Sequence, residues 1–538
     1  MYPWVESENS EILKLDKDNF IQQITEHGYF AEPFPDCFSS KKLAEHLDDL
    51  FSSDRCIEEQ LKEGNNITSP TTLSIRKNDV HRRVLSLPNP KTFLCLAIIM
   101  QENWDEIQKY AESENSLSPI TYLHKYKNNS DKIMLNSENV RDSISSKSSF
   151  VEGIRNCIQV SLGYKYRLKV DIANCYNTIY THSISWAMCG KEKAKRYLKL
   201  KKPKDIKKKY ELADKLDKYI RRQKDNESNG IIVGPFTSRI YSEIILAAID
   251  RILAKEYVFR RYVDDYKFYF RTEASAKESI PQIEKVLKEY GLHLNQSKTE
   301  ISCFPFEIIS DMQLTYQKAL TDKGVFGVLN AASLLYSNGE KGAYKYALKF
   351  IKDQEPSPDD LNVIMSSLIN ILLVEPGYGK YVIKYFKNFI YKWDRENIAK
   401  LINEELRVAI EDELEQEALI FLDIIKKLKL SLDAQNIINI LKCSNDFAIV
   451  MALDFWKNRE EGEITNIDKA DEINKGIEKL SRELKEEKFS GARWLLLYET
   501  LIHELMPSEF TSPPLDDDFF KKLYEHKVTF YQSSSDKL

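Results

Sequence analysis

The stretch Tyr257-Val258-Phe259-Arg260-Arg261-Tyr262-Val263-Asp264-Asp265-Tyr266-Lys267-Phe268-Tyr269-Phe270 sets two runs of aromatic and β-branched residues on either side of paired carboxylates. Such runs favour strands, and the acids at their junction read as the tip of a β-hairpin. Adjacent carboxylates repel each other, so a tight tip that carries them calls for a cation nearby, most economically a divalent metal. A solvated turn accounts for the same tetrad, because Asp is a common turn residue. The surrounding chain has to decide between the two.

Upstream, Gly163-Tyr164-Lys165-Tyr166-Arg167-Leu168-Lys169-Val170-Asp171 alternates apolar and cationic residues, the pattern of a half-buried strand that ends at an acid. A long helical pattern follows from about Cys175 or Thr181, and residues 230–235 read as a short apolar strand or turn. Residues 236–254 read as an amphipathic helix with Thr237 or Ser238 able to cap it. Beyond the hairpin come a helix over 274–289, a natural stop at Gly291, and a strand over 301–306. The order strand, helix, helix, strand, strand, helix, strand predicts an α+β layer whose antiparallel sheet is covered by helices on one face. Asp171 and the Asp264–Asp265 pair fall at strand ends, where one sheet can make them neighbours.

Residues 1–70 read as helical pieces (10–26 and 40–52) broken by Glu32-Pro33-Phe34-Pro35-Asp36, since prolines flanking an aromatic force an extended segment. Residues 71–90 form a basic hairpin carrying Arg76, Lys77, Arg82 and Arg83, and 91–111 a helix. Residues 116–149 are polar and Ser/Asn-rich, a loop or linker. From 311 onward helical runs follow one another (313–337, 343–353, 358–374, 380–393, 395–422, 434–457, 474–503), paired like an α-solenoid without a strict repeat. The expected division is a helical part at 1–70, a sheet-bearing part at 71–310 with a basic helical insertion at 190–229, and an all-α helical-repeat domain at 311–538.

At 538 residues, 42% hydrophobic and 30% charged, the chain has the composition of a soluble globular protein of several domains. No apolar run approaches the roughly 18 residues that span a bilayer, so no membrane partner is expected. The start, Met1-Tyr2-Pro3-Trp4-Val5-Glu6, has no basic, hydrophobic signal character. Eight scattered cysteines without a Cys-x-x-Cys pair argue against structural zinc and disulfides, and for a reducing cytoplasm. Net charge is −5, yet residues 191–224 hold sixteen Lys or Arg against five acids. That block is either a footprint for phosphates or a solvated helical face.

Three carboxylates converging from separate strands suit two-metal phosphoryl transfer, and the basic residues suit phosphates. At this point residues 70–306 resemble reverse transcriptases. Asp171 resembles the first catalytic Asp of the palm, Tyr262-Val263-Asp264-Asp265 the Tyr-x-Asp-Asp box, and Gly234-Pro235 the glycine motif between them. Lys298 resembles the later lysine that protonates pyrophosphate, and Cys303-Phe304-Pro305-Phe306 falls at the primer grip. The resemblance implies catalytic Asp171, Asp264, Asp265 and Lys298, and Mg²⁺ or Mn²⁺ on Asp171, Asp264, Asp265 and the Ile172 carbonyl. It also implies a dNTP site of Tyr176, Arg76, Arg82, Arg83, Gly234, Pro235 and Tyr262. Tyr176, five residues after Asp171, resembles the aromatic gate that leaves no room for a 2′-hydroxyl. One position departs from the family: Val233 stands where retroviral and intron enzymes carry Gln, and an apolar side chain cannot make the polar contacts associated with template use. His182 and Trp186, four apart, are spaced for a structural pairing, and Arg239 suits nucleic acid or solvent equally.

Within reverse transcriptases the details look most like the abortive-infection, phage-defence branch of bacteria. The residues are Gly28-Tyr29-Phe30 with Pro33 and Pro35, Arg83-x-Leu85-x-Leu87-Pro88-Asn89-Pro90, Tyr180-Thr181-His182-Ser183-Ile184-Ser185-Trp186-Ala187, and Gly234-Pro235-Phe236-Thr237-Ser238-Arg239 followed by Ser242-Glu243. That resemblance implies reverse-transcriptase-like fingers and palm followed by a HEAT-like helical-repeat domain. It implies a cytoplasmic homo-oligomer that makes single-stranded DNA from dNTPs without a nucleic-acid template, primed in some members from a protein hydroxyl and answering a phage trigger. The alternatives are a retron-like templated enzyme with a dedicated RNA, or an idle palm acting as phage sensor or scaffold. Retention of all three acids disfavours the idle form, because clustered acids without a metal cost stability.

Overall fold

The computed structural model describes residues 10–52, 67–78, 80–118, 120, 122–126, 150–199, 206–306, 312–340, 342–506, 515 and 517–535. Its main strands are β1 (Ser10–Lys14), β2 (Thr71–Arg76), β3 (Arg82–Leu87), β4 (Tyr122–Tyr126), β5 (Tyr166–Asp171), β6 (Val258–Tyr262), β7 (Asp265–Phe270) and β8 (Glu300–Cys303). The largest sheet runs β6-β7-β5-β8 with every neighbour antiparallel. Aromatic alternation builds it: Phe259, Tyr266 and Phe268 are buried together, with ring centroids 5.0 to 5.7 Å apart. Each such ring removed from water contributes about 1.5–3 kcal/mol.

The helix Phe236–Leu253 is buried almost all round, among the helices Trp104–Ala111, Ser183–Cys189 and Glu273–Glu289, with only Arg239, Arg251 and Ile252 reaching the surface. It is therefore a core helix and not an amphipathic one. Neither Thr237 nor Ser238 caps it; Pro235 occupies the cap position and both hydroxyl residues are buried.

Other elements differ from the sequence expectation for local reasons. Residues 10–26 split into β1, paired with β4, and a helix Phe20–Gly28, because Asp16 and Asn19 exchange side-chain-to-backbone hydrogen bonds that make a turn. The helix expected over 91–111 breaks at Asn103, whose side-chain amide donates to the Ile99 carbonyl at 2.9 Å. The long helical pattern after Cys175 resolves into Cys175–Thr178, Ser183–Cys189, Lys191–Lys199 and Lys207–Arg222. The run 395–422 divides at Glu413, in the left-handed region at φ +55°, into Arg395–Glu411 and Glu415–Leu428. Most of the polar 116–149 segment lies outside the described residues.

By contact the chain forms two compact units. The first comprises Met1–Ala31, Ser40–Pro70 and Ser86–Ile308, and holds the four-stranded sheet. The second comprises Glu32–Ser39, Thr71–Leu85 and Ile309–Leu538. In it, the helices Ala343–Ile351, Gly379–Phe389, Glu415–Leu428, Asp446–Lys457 and Trp494–Ile502 stack each on the next, and Arg395–Glu411, Ala434–Ile440 and Ala470–Leu484 form a second row. β2 and the first part of β3 belong to this unit: the Ser74 and Arg76 amides donate to Glu415 and Gln416 at 2.5 and 2.9 Å. Among the described residues, no helix is long and apolar enough to cross a membrane.

Candidate active site

β5 ends with Asp171 directly opposite Asp265, the first residue of β7, and Asp265 also faces Tyr262 across the hairpin. Only Val263 and Asp264 remain to make the turn. Two-residue hairpin turns of this kind need a positive φ, and Val263 takes it at +56°, unusual for a β-branched residue. The Ile172 amide donates to the Asp264 carbonyl at 3.2 Å, closing the tip over the end of β5. As a result, carboxylate oxygens of Asp171, Asp264 and Asp265 lie within 4.8 Å of one another.

Asp171 is buried and the other two acids are partly so. Burial, and then the charge of Asp171, push the Asp265 carboxyl above the ordinary range. The Lys298 ammonium sits 2.8 Å from Asp171, and that hydrogen bond, with the surrounding acids, pushes its pKa up. Asn295 adds a side-chain donor to Asp171 at 3.1 Å and a backbone donor to its carbonyl at 2.8 Å. Crowded hard oxygens of like charge are the donor set of Mg²⁺ or Mn²⁺, so these residues fit a divalent cation.

Around the acids, Tyr176 lies on the short helix after β5 with its phenol oxygen 3.3 Å from the Ser242 hydroxyl, and burial pushes its pKa up. Gly234 has φ +144°, and a Cβ there would meet the Ser86 carbonyl at 3.0 Å; Ser86 in turn donates its amide to the Val233 carbonyl at 2.7 Å. Only glycine suits that position. Pro235 follows at the helix start, Tyr262 is half exposed, and Ile172 is buried and bridges to Leu294. After β8, the Arg167 guanidinium donates to the Phe306 carbonyl at 2.8 Å and lies over its ring.

The three hairpin arginines belong to the second unit. Arg82 makes a two-pronged ion pair with buried Glu417, at 3.0 and 2.7 Å, and also bonds Ser74. Arg76 donates to the Leu373 carbonyl at 2.9 Å, and Arg83 is exposed. The guanidinium groups expected to grip a triphosphate are, for Arg76 and Arg82, engaged by acceptors of the second unit; a buried Glu417 requires such a cation. His182 pairs with Asp217 at 3.0 Å, whereas Trp186 meets the Tyr180 ring; Arg239 donates to the Ser118 carbonyl. In the basic insertion, Lys193, Lys195, Arg196, Lys207, Lys208, Lys215 and Lys218 are exposed on two helices, and residues 200–205 lie outside the described set.

Sequence reasoning gave no role to Asn295, Ser118 or Arg261, nor to the acids Glu243 and Asp250. Arg261 is fully buried, bonded to Glu243 and Asp250 and to the Val263 carbonyl. The available signal was Glu243 and Asp250, seven apart within the apolar run that ends the helix Phe236–Leu253, since buried acids demand a cation.

Residues 115–344 match the family model for reverse transcriptase (RNA-dependent DNA polymerase). The chain thus carries a reverse transcriptase domain, that of a nucleotidyltransferase which polymerises DNA. No curated protein matches the chain. Among solved structures it is similar to apo telomerase from Candida tropicalis, at 14% identity over 74% of this chain and 68% of that one, with a TM-score of 0.32. It is also similar to telomerase from Candida albicans in complex with the TWJ fragment of telomeric RNA, at 11% identity over 72% of this chain and 66% of that one, with a TM-score of 0.27.

Proposed function

We propose that this chain is a divalent-metal-dependent DNA polymerase of the reverse-transcriptase kind that joins deoxynucleoside triphosphates without copying a nucleic-acid template, in bacterial antiphage defence. The observation that carries the reading is the convergence of Asp171, Asp264 and Asp265 within 4.8 Å, with Lys298 on Asp171. The three acids and the Ile172 carbonyl would hold Mg²⁺ or Mn²⁺, which when bound supplies activation of the attacking hydroxyl and neutralisation of the triphosphate. Lys298, whose ammonium lies 2.8 Å from Asp171, is the proton donor for the departing pyrophosphate. The Tyr176 ring, with Ser242 against its hydroxyl, restricts the sugar to one without a 2′-hydroxyl. Gly234 and Pro235 let the backbone run close to the nucleotide beside Tyr262.

Template independence is supported by Val233, apolar at the position where templated relatives carry a polar contact. The antiphage role, priming from a protein hydroxyl, assembly of several copies in the cytoplasm and the HEAT-like character of the helical unit are supported by the resemblance to abortive-infection enzymes. The two rows of stacked helices suit a scaffold role.

The test is incorporation of each labelled dNTP or NTP with Mg²⁺ by purified protein, before and after nuclease treatment, resolved on denaturing gels with and without protease. Labelled DNA that survives nuclease pretreatment of the enzyme and shifts on proteolysis is the expected result. Dependence on a co-purifying RNA would replace the reading by a templated, retron-like one, and no incorporation under any condition would leave a sensor or scaffold.

A further inference from the structure

A guanidinium buried in a protein interior is costly unless its donors are all answered. Arg261 is such a group, at 0% exposure. Its Nε donates to both Asp250 oxygens at 3.0 and 2.9 Å, and Nη2 to Glu243 at 2.7 Å and Asp250 at 2.7 Å. Nη1 reaches Glu243 at 3.1 Å. The two acids sit seven residues apart on the buried helix Phe236–Leu253, and Asp250 is further fixed by the Ser113 hydroxyl at 2.6 Å. Burial works against the charge on Arg261, but Asp250 and Glu243 outweigh it and push its pKa up.

The two acids already more than neutralise the guanidinium. The bond that goes further is from Nη1 to the Val263 carbonyl, at 2.9 Å. Val263 is the residue immediately before Asp264 and holds the left-handed conformation on which the tip depends. That conformation costs roughly 1–2 kcal/mol for a residue with a Cβ. From the other side the Val263 amide donates to the hydroxyl of buried Ser118, at 3.2 Å. Both polar backbone groups of Val263 are therefore tied by side chains, and its φ is set by those ties.

We propose that Arg261 is a positioning residue for the acidic site: anchored on Glu243 and Asp250, it holds Val263 in its left-handed turn and so fixes the direction of the Asp264 carboxylate towards Asp171 and Asp265. The inference rests on the metal-site reading above. It makes Arg261 a determinant of metal affinity and turnover that touches neither metal nor nucleotide.

The experiment is a double-mutant cycle between Arg261→Lys and Val263→Gly in the full chain, read by Mn²⁺ binding (loss of the free-ion electron spin resonance signal), by kcat and KM for a dNTP, and by Tm. Lysine keeps the charge but cannot span two acids and a carbonyl. It is expected to weaken Mn²⁺ binding and kcat by about tenfold, as outer-partner substitutions at metal sites do, with KM for dNTP nearly unchanged. Glycine takes the left-handed turn without an anchor, so the same replacement in the Val263→Gly background should cost at least about threefold less. Equal losses in both backgrounds would overturn the proposal and leave Arg261 a packing residue. Should Arg261→Lys not fold, the cycle is run with Glu243→Gln, which keeps the shape of one anchor of Arg261 and removes its charge, and a missing coupling to Val263→Gly overturns the proposal equally. A wild-type protein that incorporates no nucleotide would sink the polymerase reading alone, since the Mn²⁺ cycle still decides the positioning role.

Discussion

Asp264 lies at the tip of the hairpin, partly exposed, within a few ångströms of two other acids. Its replacement by Ala removes a like charge and little packing. Incorporation should therefore vanish while the melting temperature stays within the change expected for about 1 kcal/mol or less. Retained incorporation would refute the metal assignment. Tyr176 is argued at the same scale: its ring is held by the short helix after β5 and by Ser242, so Tyr176→Ala opens space without touching the acids. The ratio of kcat/KM for dNTP over NTP should fall by about tenfold or more, since a steric exclusion is lost rather than a weak contact. An unchanged ratio removes the gate. The acids and the tyrosine are legible in the sequence because their side-chain chemistry carries the signal. Val263 is not, because valine's preference argues against the left-handed turn it adopts; only the ties from Arg261 and Ser118 make that turn tenable.

At the level of elements, β2, β3, β5, β6 and β7 are read from alternation and the hairpin from its acids, and these fall close to where the sequence puts them, whereas β1 and β4 lie in segments read as helix and loop. Helix ends are harder, because single side chains set them: the Asn103 amide on the Ile99 carbonyl, or Glu413 turning left-handed. The helix Asp446–Lys457 illustrates a different kind of hidden determinant. Asp454 on it is buried and accepts from Lys426, Tyr531, Ser533 and Ser534, gathering a segment some eighty residues distant in sequence. Burial alone would raise this carboxyl, but the Lys426 charge and the hydroxyl donors outweigh it and hold it at about 2. A pKa depressed in the folded state stabilises above the ordinary Asp value and loses that contribution as pH falls through the folded value. Asp454→Asn should therefore cost about 2 kcal/mol at pH 7, and the difference from wild type should close as the pH approaches about 2. Chemical denaturation at several pH values measures it; a gap independent of pH would mean that shape, and not charge, ties the segment.

For the whole molecule, the expected boundary near residue 310 follows from reading the chain as consecutive blocks. The compact units are not consecutive: Glu32–Ser39 and Thr71–Leu85 group with the C-terminal helices. Their partners lie hundreds of residues further along. Phe34 and Phe38 meet Phe447, with centroids 4.9 and 5.2 Å apart, and Phe38 also meets Tyr531. Arg82 is matched to Glu417. Nothing local distinguishes Arg82 from a phosphate-binding arginine, since the acid that claims it is visible only once the chain has folded. The consequence concerns truncation. A fragment ending at residue 311 keeps the whole four-stranded sheet and all three acids, yet strands two buried phenylalanines and two arginines, Arg76 and Arg82, without their partners. Exposed aromatics in a block lead to self-association, and each lost burial removes about 1.5–3 kcal/mol. The fragment should accordingly express poorly or elute as aggregate, and melt without a cooperative transition, whereas the full chain melts cooperatively. Replacing Phe34 and Phe38 with Ser in the fragment should recover solubility, because the liability lies in those rings and not in the palm. A wild-type fragment that is monodisperse and binds Mn²⁺ as the full chain does would show that the two N-terminal segments are dispensable extensions of the helical unit.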